Sequence, residues 1–519
     1  MILKLIKILV KLQCSSGIRK VPDCETSAVF EHRPVEDLGK EPFDIKSANL
    51  EYYAKATKIA AQKGADIIVF NEYGTFPYPF SRENFTNFAE HVPDPNKQKF
   101  NPCTENAIDR PALHTASCLA RKNGIYIVMN LADIQPCEEH CDADKIDSCS
   151  TECPEDGMYL YNTDVAFDRE GNIIARYYKM HPYFEVVNIE PNFVTFDTDF
   201  GKFGMIVCFD SVFEESVRLV KEYGIDTLLF PTYWFDDIVP FDAVEFQQSW
   251  AIANDVNFIA SNTHYPGTGS LGSGIYSKKD GALVYTYEPD GKSKLLIANV
   301  PIKGGSDIPD ISSITVVTRD DAFLKEETGD KFPEECYDKL IGPAKNEYED
   351  YRCFKQKLEN YTLTKLEKPA GKIEACNNGF CCSLSYSARE LQEDFYLAAF
   401  NGLNNVRGYY QWWEEVCILT RCDSFEGKPC ALLPPRSKTV FEKLKLKGHF
   451  KAERVYPTVS NDKARLAPKK KWDIKRDEDE VVLTYKSNSD EPLLRAGLLG
   501  RDYERDPPFI PYYPNKKAD

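Results

Sequence analysis

Gly64-Ala-Asp-Ile-Ile-Val-Phe-Asn-Glu72 is a glycine turn, a run of four apolar residues and a polar pair. A short run apolar on both faces reads as a strand buried on both sides, and the polar pair falls at its end. Upstream, Ser47 to Lys63 carries Leu50, Ala54, Thr57 and Ala61 at helical spacing, with Ser47 as the expected N-cap. The pattern of helix, turn, apolar strand and polar end then returns. Leu119 to Lys122 and Asn123-Gly124 lead into Ile125-Tyr-Ile-Val-Met129, which ends at Asn130. Val217 to Tyr223 and Gly224 lead into Thr227-Leu-Leu-Phe230, which ends at Pro231-Thr232. Ala251 to Asp255 leads into Phe258-Ile-Ala260, which ends at Ser261-Asn262. Helices alternating with continuously apolar strands predict an α/β fold that gathers its working residues at strand ends.

Beyond about residue 305 the pattern changes. Ile311 to Arg319 reads as a strand, and Asp320 to Asn360 as an acidic linker or wrapping segment. From about residue 370 the runs are short and strand-like: Thr439-Val-Phe441, Val481 to Tyr485 and Leu493 to Leu499, separated by turns and cysteines. That is the signature of a second, β-rich, disulfide-bonded domain. A chain of 519 residues exceeds one ordinary core. The expected division is a leader at 1–24, an α/β domain at 25–305, the linker at 306–370, the β-rich domain at 371–506 and a tail at 507–519.

The net charge of −17 argues against a nucleic-acid partner, which needs a clustered basic face. The basic run Lys469-Lys470-Lys471 is short and is followed by Asp477-Glu-Asp-Glu480, so it reads as a solvated loop. Seventeen cysteines suit a disulfide framework in an oxidising compartment. Sequons at Asn84 and Asn360 fit the same compartment. Met1 to Leu12 is apolar but broken by Lys4, Lys7 and Lys11; it is taken as an atypical secretory leader, with an amphipathic basic helix as the alternative. No later stretch reads as a membrane span. The C-terminal residues show no apolar tail of the lipid-anchor type. A secreted, soluble monomer is expected.

Three strand-end residues carry chemistry. Cys208 closes Gly204-Met-Ile-Val207, beside a turn into Phe213-Glu-Glu-Ser-Val217. It is either a nucleophile, its thiolate favoured by a helix N-terminus, or a buried or disulfide-bonded cysteine. Glu72 can serve as general base toward a thiol and general acid toward a leaving amine, or be a surface carboxylate. Lys179, after Ile173 to Tyr178, can stabilise an oxyanion, or be an ordinary exposed lysine.

Glu72, Lys179 and Cys208 stand in the order and sequence context of the nitrilase superfamily. Gly64 to Glu72, Ala175-Arg-Tyr-Tyr-Lys179 and Phe203-Gly-Met-Ile-Val-Cys-Phe-Asp210 resemble its three signature segments. Tyr161-Asn-Thr-Asp-Val-Ala-Phe-Asp168, Ala243-Val-Glu-Phe246, Ala260 to Pro266 and Gly272 to Tyr276 resemble the vanin and biotinidase branch. So do Cys376 to Tyr386, Cys417 to Cys422 and Gly500 to Asp506 in the second domain. The resemblance spans roughly residues 25 to 506. It implies a four-layer αββα sandwich followed by a β-rich base domain. It also implies an amidohydrolase acting through a Cys208 thioester, with Glu72 as base and acid. Lys179 and the backbone N–H of Phe209 would hold the oxyanion. The expected substrate is a small vitamin amide, pantetheine first, biotinyl-lysine as the alternative; a catalytically silent binding protein of the same fold is the third reading. Glu185 is the nearest match to the superfamily's second carboxylate, although Val186 to Pro191 is shorter than the vanin pattern. His264 and Tyr265 are candidate substrate contacts. The glycine-rich Gly267 to Gly274 lacks the lysine of a phosphate loop and reads as a mobile loop near the pocket. No cofactor or metal is expected. Cys137, His140, Cys141, Cys149 and Cys153 offer a zinc-like set, for which disulfides are the plainer reading. Without Cys208 and Cys14, 15 cysteines remain, so at least one is unpaired unless the leader ends elsewhere.

Overall fold

The computed structural model describes residues 24–36, 40–76, 81–137, 153–236, 238–302, 311–318, 355–356, 358, 360–406, 409–422, 430–432 and 436–511. The leader before Cys24, the acidic segment 320–350 and the positions of His140, Cys141 and Cys149 lie outside these residues.

The first half is built on two sheets. One has seven strands: β1 (Cys24–Glu31), β2 (Ile67–Phe70), β3 (Tyr126–Pro136), β4 (Met158–Phe167), β5 (Ile173–Tyr178), β12 (Lys294–Pro301) and β13 (Ser312–Val316). Their order is β13-β12-β1-β2-β3-β4-β5, with β1, β2 and β3 parallel. The other runs β11-β10-β9-β8-β7-β6, from β6 (Thr195–Asp197), β7 (Lys202–Met205), β8 (Thr227–Thr232), β9 (Asn257–Asn262), β10 (Ser273–Ser277) and β11 (Gly281–Thr286). Here β7, β8 and β9 are parallel.

Alternation along the strands stacks the layers. Val29, Ile67 and Val69 point into the core between the sheets, against Leu229 and Ile259. Ala28, Ile68 and Phe70 point outward onto helices α1 (Pro42–Gln62) and α3 (Pro111–Asn123). The short α2 (Arg82–Phe88) caps this side. On the far face, Val217 and Leu219 of α4 (Glu214–Tyr223) and Phe246 and Trp250 of α5 (Ala243–Ala253) close the second sheet. The result is the αββα sandwich. Helix α1 starts at Pro42 rather than at Ser47. Proline suits a first turn because its missing N–H would go unused there. Its buried face is Leu50, Tyr53, Ala56, Thr57 and Ala60, and Ala54 and Ala61 lie at the margin.

The second half is β-rich. Ala370–Asn377, Phe380–Ala388, Phe441–His449, Glu480–Lys486 and Trp472–Asp477 lie side by side in an antiparallel sheet. A larger sheet is centred on Asp394–Val406, Tyr410–Cys422, Leu493–Arg501 and Arg454–Asn461. Along Tyr410–Cys422, Cys417 and Leu419 face the core between these sheets. Val416 and Ile418 face the α/β half and join its core. Gly497 permits this approach: a Cβ there would stand 2.9 Å from Phe241 Cε1. Disulfides join Cys103 to Cys118, Cys137 to Cys153, Cys376 to Cys381 and Cys382 to Cys417. Cys24 and Cys422 are also disulfide-bonded. The Cys137–Cys153 pairing takes two members out of the zinc-like set. Among the described residues, no helix is long and apolar enough to cross a membrane.

Candidate active site

Glu72 follows β2, Lys179 follows β5, and Cys208 opens a 3₁₀ turn, Cys208–Val212, after β7. Cys208 is buried, has a free thiol and takes the left-handed backbone conformation, φ 46°. A side chain at such a φ persists only where its surroundings over-determine the turn. Asp210 supplies that constraint. Its carboxylate accepts Val207 N at 2.9 Å, His181 N at 2.7 Å and the Tyr177 hydroxyl at 2.8 Å. The Ser216 hydroxyl, from α4, donates to Asp210 O at 2.7 Å.

The ammonium of Lys179 lies 2.8 Å from Glu72 Oε1 and 2.5 Å from Glu185 Oε1, with all three side chains buried. Asn162, in the middle of β4, donates through Nδ2 to Glu72 Oε1 and to Glu185 Oε2, each at 2.7 Å. Glu72 Oε2 accepts Tyr233 N at 2.7 Å. Glu185 accepts Tyr183 N at 2.9 Å and, through its other oxygen, the Tyr73 hydroxyl. Glu185 thus has four donors and Glu72 three.

Burial pushes the Glu72 carboxyl above its ordinary range; Lys179 opposes this and Glu185 adds to it. Burial pulls the Lys179 ammonium down, but Glu185 and Glu72 outweigh it and hold the group well above its ordinary value. Burial and the Glu72 charge raise the Cys208 thiol, against Lys179, the Thr232 hydroxyl and the Tyr233 N–H. These shifts keep the Cys208 proton on sulfur and the positive charge on Lys179. The Phe209 N–H has no acceptor among the described residues.

The structure therefore brings Glu72, Lys179, Cys208, Glu185 and Phe209 together. His264 is placed elsewhere. It is fully buried, with Nδ1 2.7 Å from Glu31 Oε1, and Glu31 also accepts Gly272 N at 3.1 Å. Tyr265 reaches the site indirectly, stacking on Tyr233 with ring centres 5.7 Å apart. Within the glycine-rich stretch Ser270, Leu271 and Gly272 are buried, and Leu271 O accepts Asn262 Nδ2 at 2.8 Å. Asn84 and Asn360 are exposed. The potential metal ligands Glu374, Cys376 and Cys381 are exposed, and the two cysteines are joined to each other.

Sequence reasoning gave no role to Asn162, Asn130, Tyr73, Asp210 or Tyr410. The signal for Asn162 and Asn130 was a polar residue inside an apolar strand, which needs a buried partner. Tyr410 left no such signal, because it acts from the other half of the chain. Its hydroxyl accepts Phe184 N at 2.8 Å and donates to Pro182 O at 3.0 Å, bracing the loop before Glu185.

Two family models match the chain: carbon–nitrogen hydrolase over residues 43–303 and vanin C-terminal domain over residues 351–506. The chain belongs to the carbon–nitrogen hydrolase family, in the group that carries a vanin C-terminal domain. Pantetheinase from Sus scrofa is 34% identical over 502 residues, covering 93% of this chain and 90% of that protein. Biotinidase from Homo sapiens is 29% identical over 507 residues, covering 92% and 89%. A mutant of an amidase from Nesterenkonia, of the nitrilase superfamily, aligns over 55% of this chain and 94% of its own, with 20% identity and TM-score 0.38. The protein is a hydrolase of non-peptide carbon–nitrogen amide bonds, with a small-molecule substrate.

Proposed function

We propose that the protein is a secreted pantetheine hydrolase in which Cys208 is the nucleophile, Glu72 the general base and acid, and Lys179 the oxyanion stabiliser. The observation that carries this is the Lys179 ammonium held between Glu72 and Glu185, acting on a buried free thiol on a constrained turn. Glu72 takes the Cys208 proton and the sulfur attacks the amide carbonyl. Lys179 and the Phe209 N–H hold the resulting oxyanion. Glu72 returns the proton to the departing amine as the carbon–nitrogen bond breaks, leaving a thioester. Glu72 then takes a proton from water, and the hydroxide attacks the thioester. The acid departs and the sulfur is reprotonated.

Pantetheine is the preferred substrate because the pig pantetheinase matches nearly end to end. Its hydrolysis gives pantothenate and cysteamine. Biotinyl-lysine is the second reading, supported by the similarly long match to human biotinidase. The disulfides and the exposed asparagines of both sequons support an extracellular site of action. The test is amine release from pantetheine and from biotinyl-lysine, measured side by side for wild type and Cys208→Ser, with the trapped acyl-enzyme weighed by mass spectrometry. Release from pantetheine that Cys208→Ser abolishes supports the proposal. Release from biotinyl-lysine alone transfers it to the second reading. Turnover unchanged in Cys208→Ser overturns the nucleophile assignment.

A further inference from the structure

The carboxamide of Asn162 has no spare donor. Both hydrogens on Nδ2 go to carboxylates, Glu72 Oε1 and Glu185 Oε2, each at 2.7 Å. Its Oδ1 accepts Asn130 Nδ2 at 2.6 Å. An amide can be turned about its last bond, so its orientation has to be argued from its neighbours. Here the neighbours fix it. Asn130 Oδ1 accepts the backbone N–H of Tyr73 at 3.0 Å, and a backbone N–H can only donate. Asn130 must then present Nδ2 to Asn162, which it shares with Asp164 Oδ1 at 2.9 Å. Asn162 is thereby forced to turn its own Nδ2 toward the two carboxylates. The chain of constraint starts at the residue next to Glu72 and returns to Glu72 through β3 and β4. Asn130, Asn162 and Asp164 are all buried, so water does not compete for these bonds.

We propose that Asn162 is a positioning residue for the proton-transfer step: its amide, oriented by Asn130, holds Glu72 and Glu185 on either side of Lys179. The proposal rests on the role given above to Glu72. Asn162 is the second bridge between the two carboxylates, beside Lys179, and the neutral one. It fixes their separation without adding charge. When Glu72 takes the thiol proton, the amide still donates to Glu185, and Glu185 keeps its contact with Lys179. A donor lost from Glu72 makes protonated Glu72 easier to form, so the base is disarmed at a higher pH.

The experiment compares wild type, Asn162→Ala and Asn162→Asp in pH profiles of amide turnover and of Cys208 alkylation by iodoacetamide. Asn162→Asp keeps the volume, replaces the donor by an acceptor and guards against a folding failure in the alanine variant. Both variants are expected to lower kcat by roughly 10- to 100-fold, the size set by losing hydrogen bonds to charged groups, with KM little changed. In both, the acid limb of turnover and of alkylation moves to higher pH. Folded variants whose acid limbs stay at the wild-type position overturn the proposal, whatever happens to kcat. Alkylation needs no substrate. If wild type turns over none of the tested amides, the substrate reading fails by itself, and the alkylation profile still decides the role of Asn162.

Discussion

In the proposed mechanism a buried thiol needs a base that is ionised when the substrate arrives, and burial raises the pKa of Glu72. Activity should therefore rise with pH along a limb set by Glu72, at higher pH than an ordinary glutamate of about 4.3 would give. Glu72→Gln keeps the shape and removes the acceptor. It is expected to lower kcat by roughly 10²- to 10⁴-fold, the span of general acid–base contributions, and to erase that limb; steady-state kinetics across pH check both. A second buried carboxyl acts on stability instead. Burial raises Glu25 to about 8, against the Ser27 hydroxyl, which donates to its Oε1 at 2.9 Å, and the Thr227 hydroxyl at 3.4 Å. Its folded pKa lies above its unfolded one, so the folded state binds the extra proton. The stabilisation is full below the unfolded value near 4.3 and is lost as pH rises through about 8. Asp133, raised by burial to about 7, acts with the same sign. The thermal midpoint should fall between mildly acidic and mildly alkaline buffer, and Glu25→Gln should flatten that slope. A midpoint that rises over the same range would contradict the assignment.

At the scale of the element, the 3₁₀ turn Cys208–Val212 owes its shape to one carboxylate. Asp210→Asn would put an NH₂ group against donors on one side, Val207 N with the Tyr177 hydroxyl or His181 N. Loss of about 3 kcal/mol is expected from charge-assisted bonds of this kind. It would be read as a lower denaturation midpoint and faster, less pH-dependent alkylation of Cys208. The strands that deliver the site were legible in the sequence: β2 and the apolar runs within β3, β8 and β9 are short and lie parallel to their neighbours in two buried sheets, where both faces need apolar residues. Helix starts were less so, because Ser47 as a cap and Pro42 at a first turn are both good local chemistry, and packing chose Pro42. Glu185 was reached only through the family resemblance, and it lies 2.5 Å from the Lys179 ammonium. His264 shows the limit. A polar residue after a strand reads alike whether it faces a pocket or a buried partner, and Glu31, its partner, is 233 positions away. Asn162 and Asn130 showed that they needed buried partners but not which ones, since each meets its partners across strands.

At the scale of the molecule, the β-rich half is part of the frame that holds the turn. Arg501 donates from Nε and Nη2 to Val212 O, at 3.2 and 3.0 Å, closing the end of the 3₁₀ turn. Nearby, Arg495 reaches out of Leu493–Arg501 to the start of α5, where it pairs with Glu245 and lies 3.3 Å from Asp242 Oδ2. Arg495 is fully buried, and burial raises Asp242 to about 7 even with the guanidinium beside it. Removing the cation leaves two carboxylates in a dry site. Arg495→Leu is therefore expected to lose about 3–5 kcal/mol, the usual consequence of breaking a buried pair. The loss should be larger at neutral than at acidic pH, because protonation neutralises Asp242, whose folded pKa rises further once Arg495 is gone. Arg495→Leu combined with Glu245→Gln removes one of those charges and should recover part of the loss at neutral pH and little at acidic pH. Denaturation midpoints of the single and double variants at the two pH values decide the matter. Equal losses at both, with no recovery in the double variant, would mean that Arg495 contributes by packing rather than by charge.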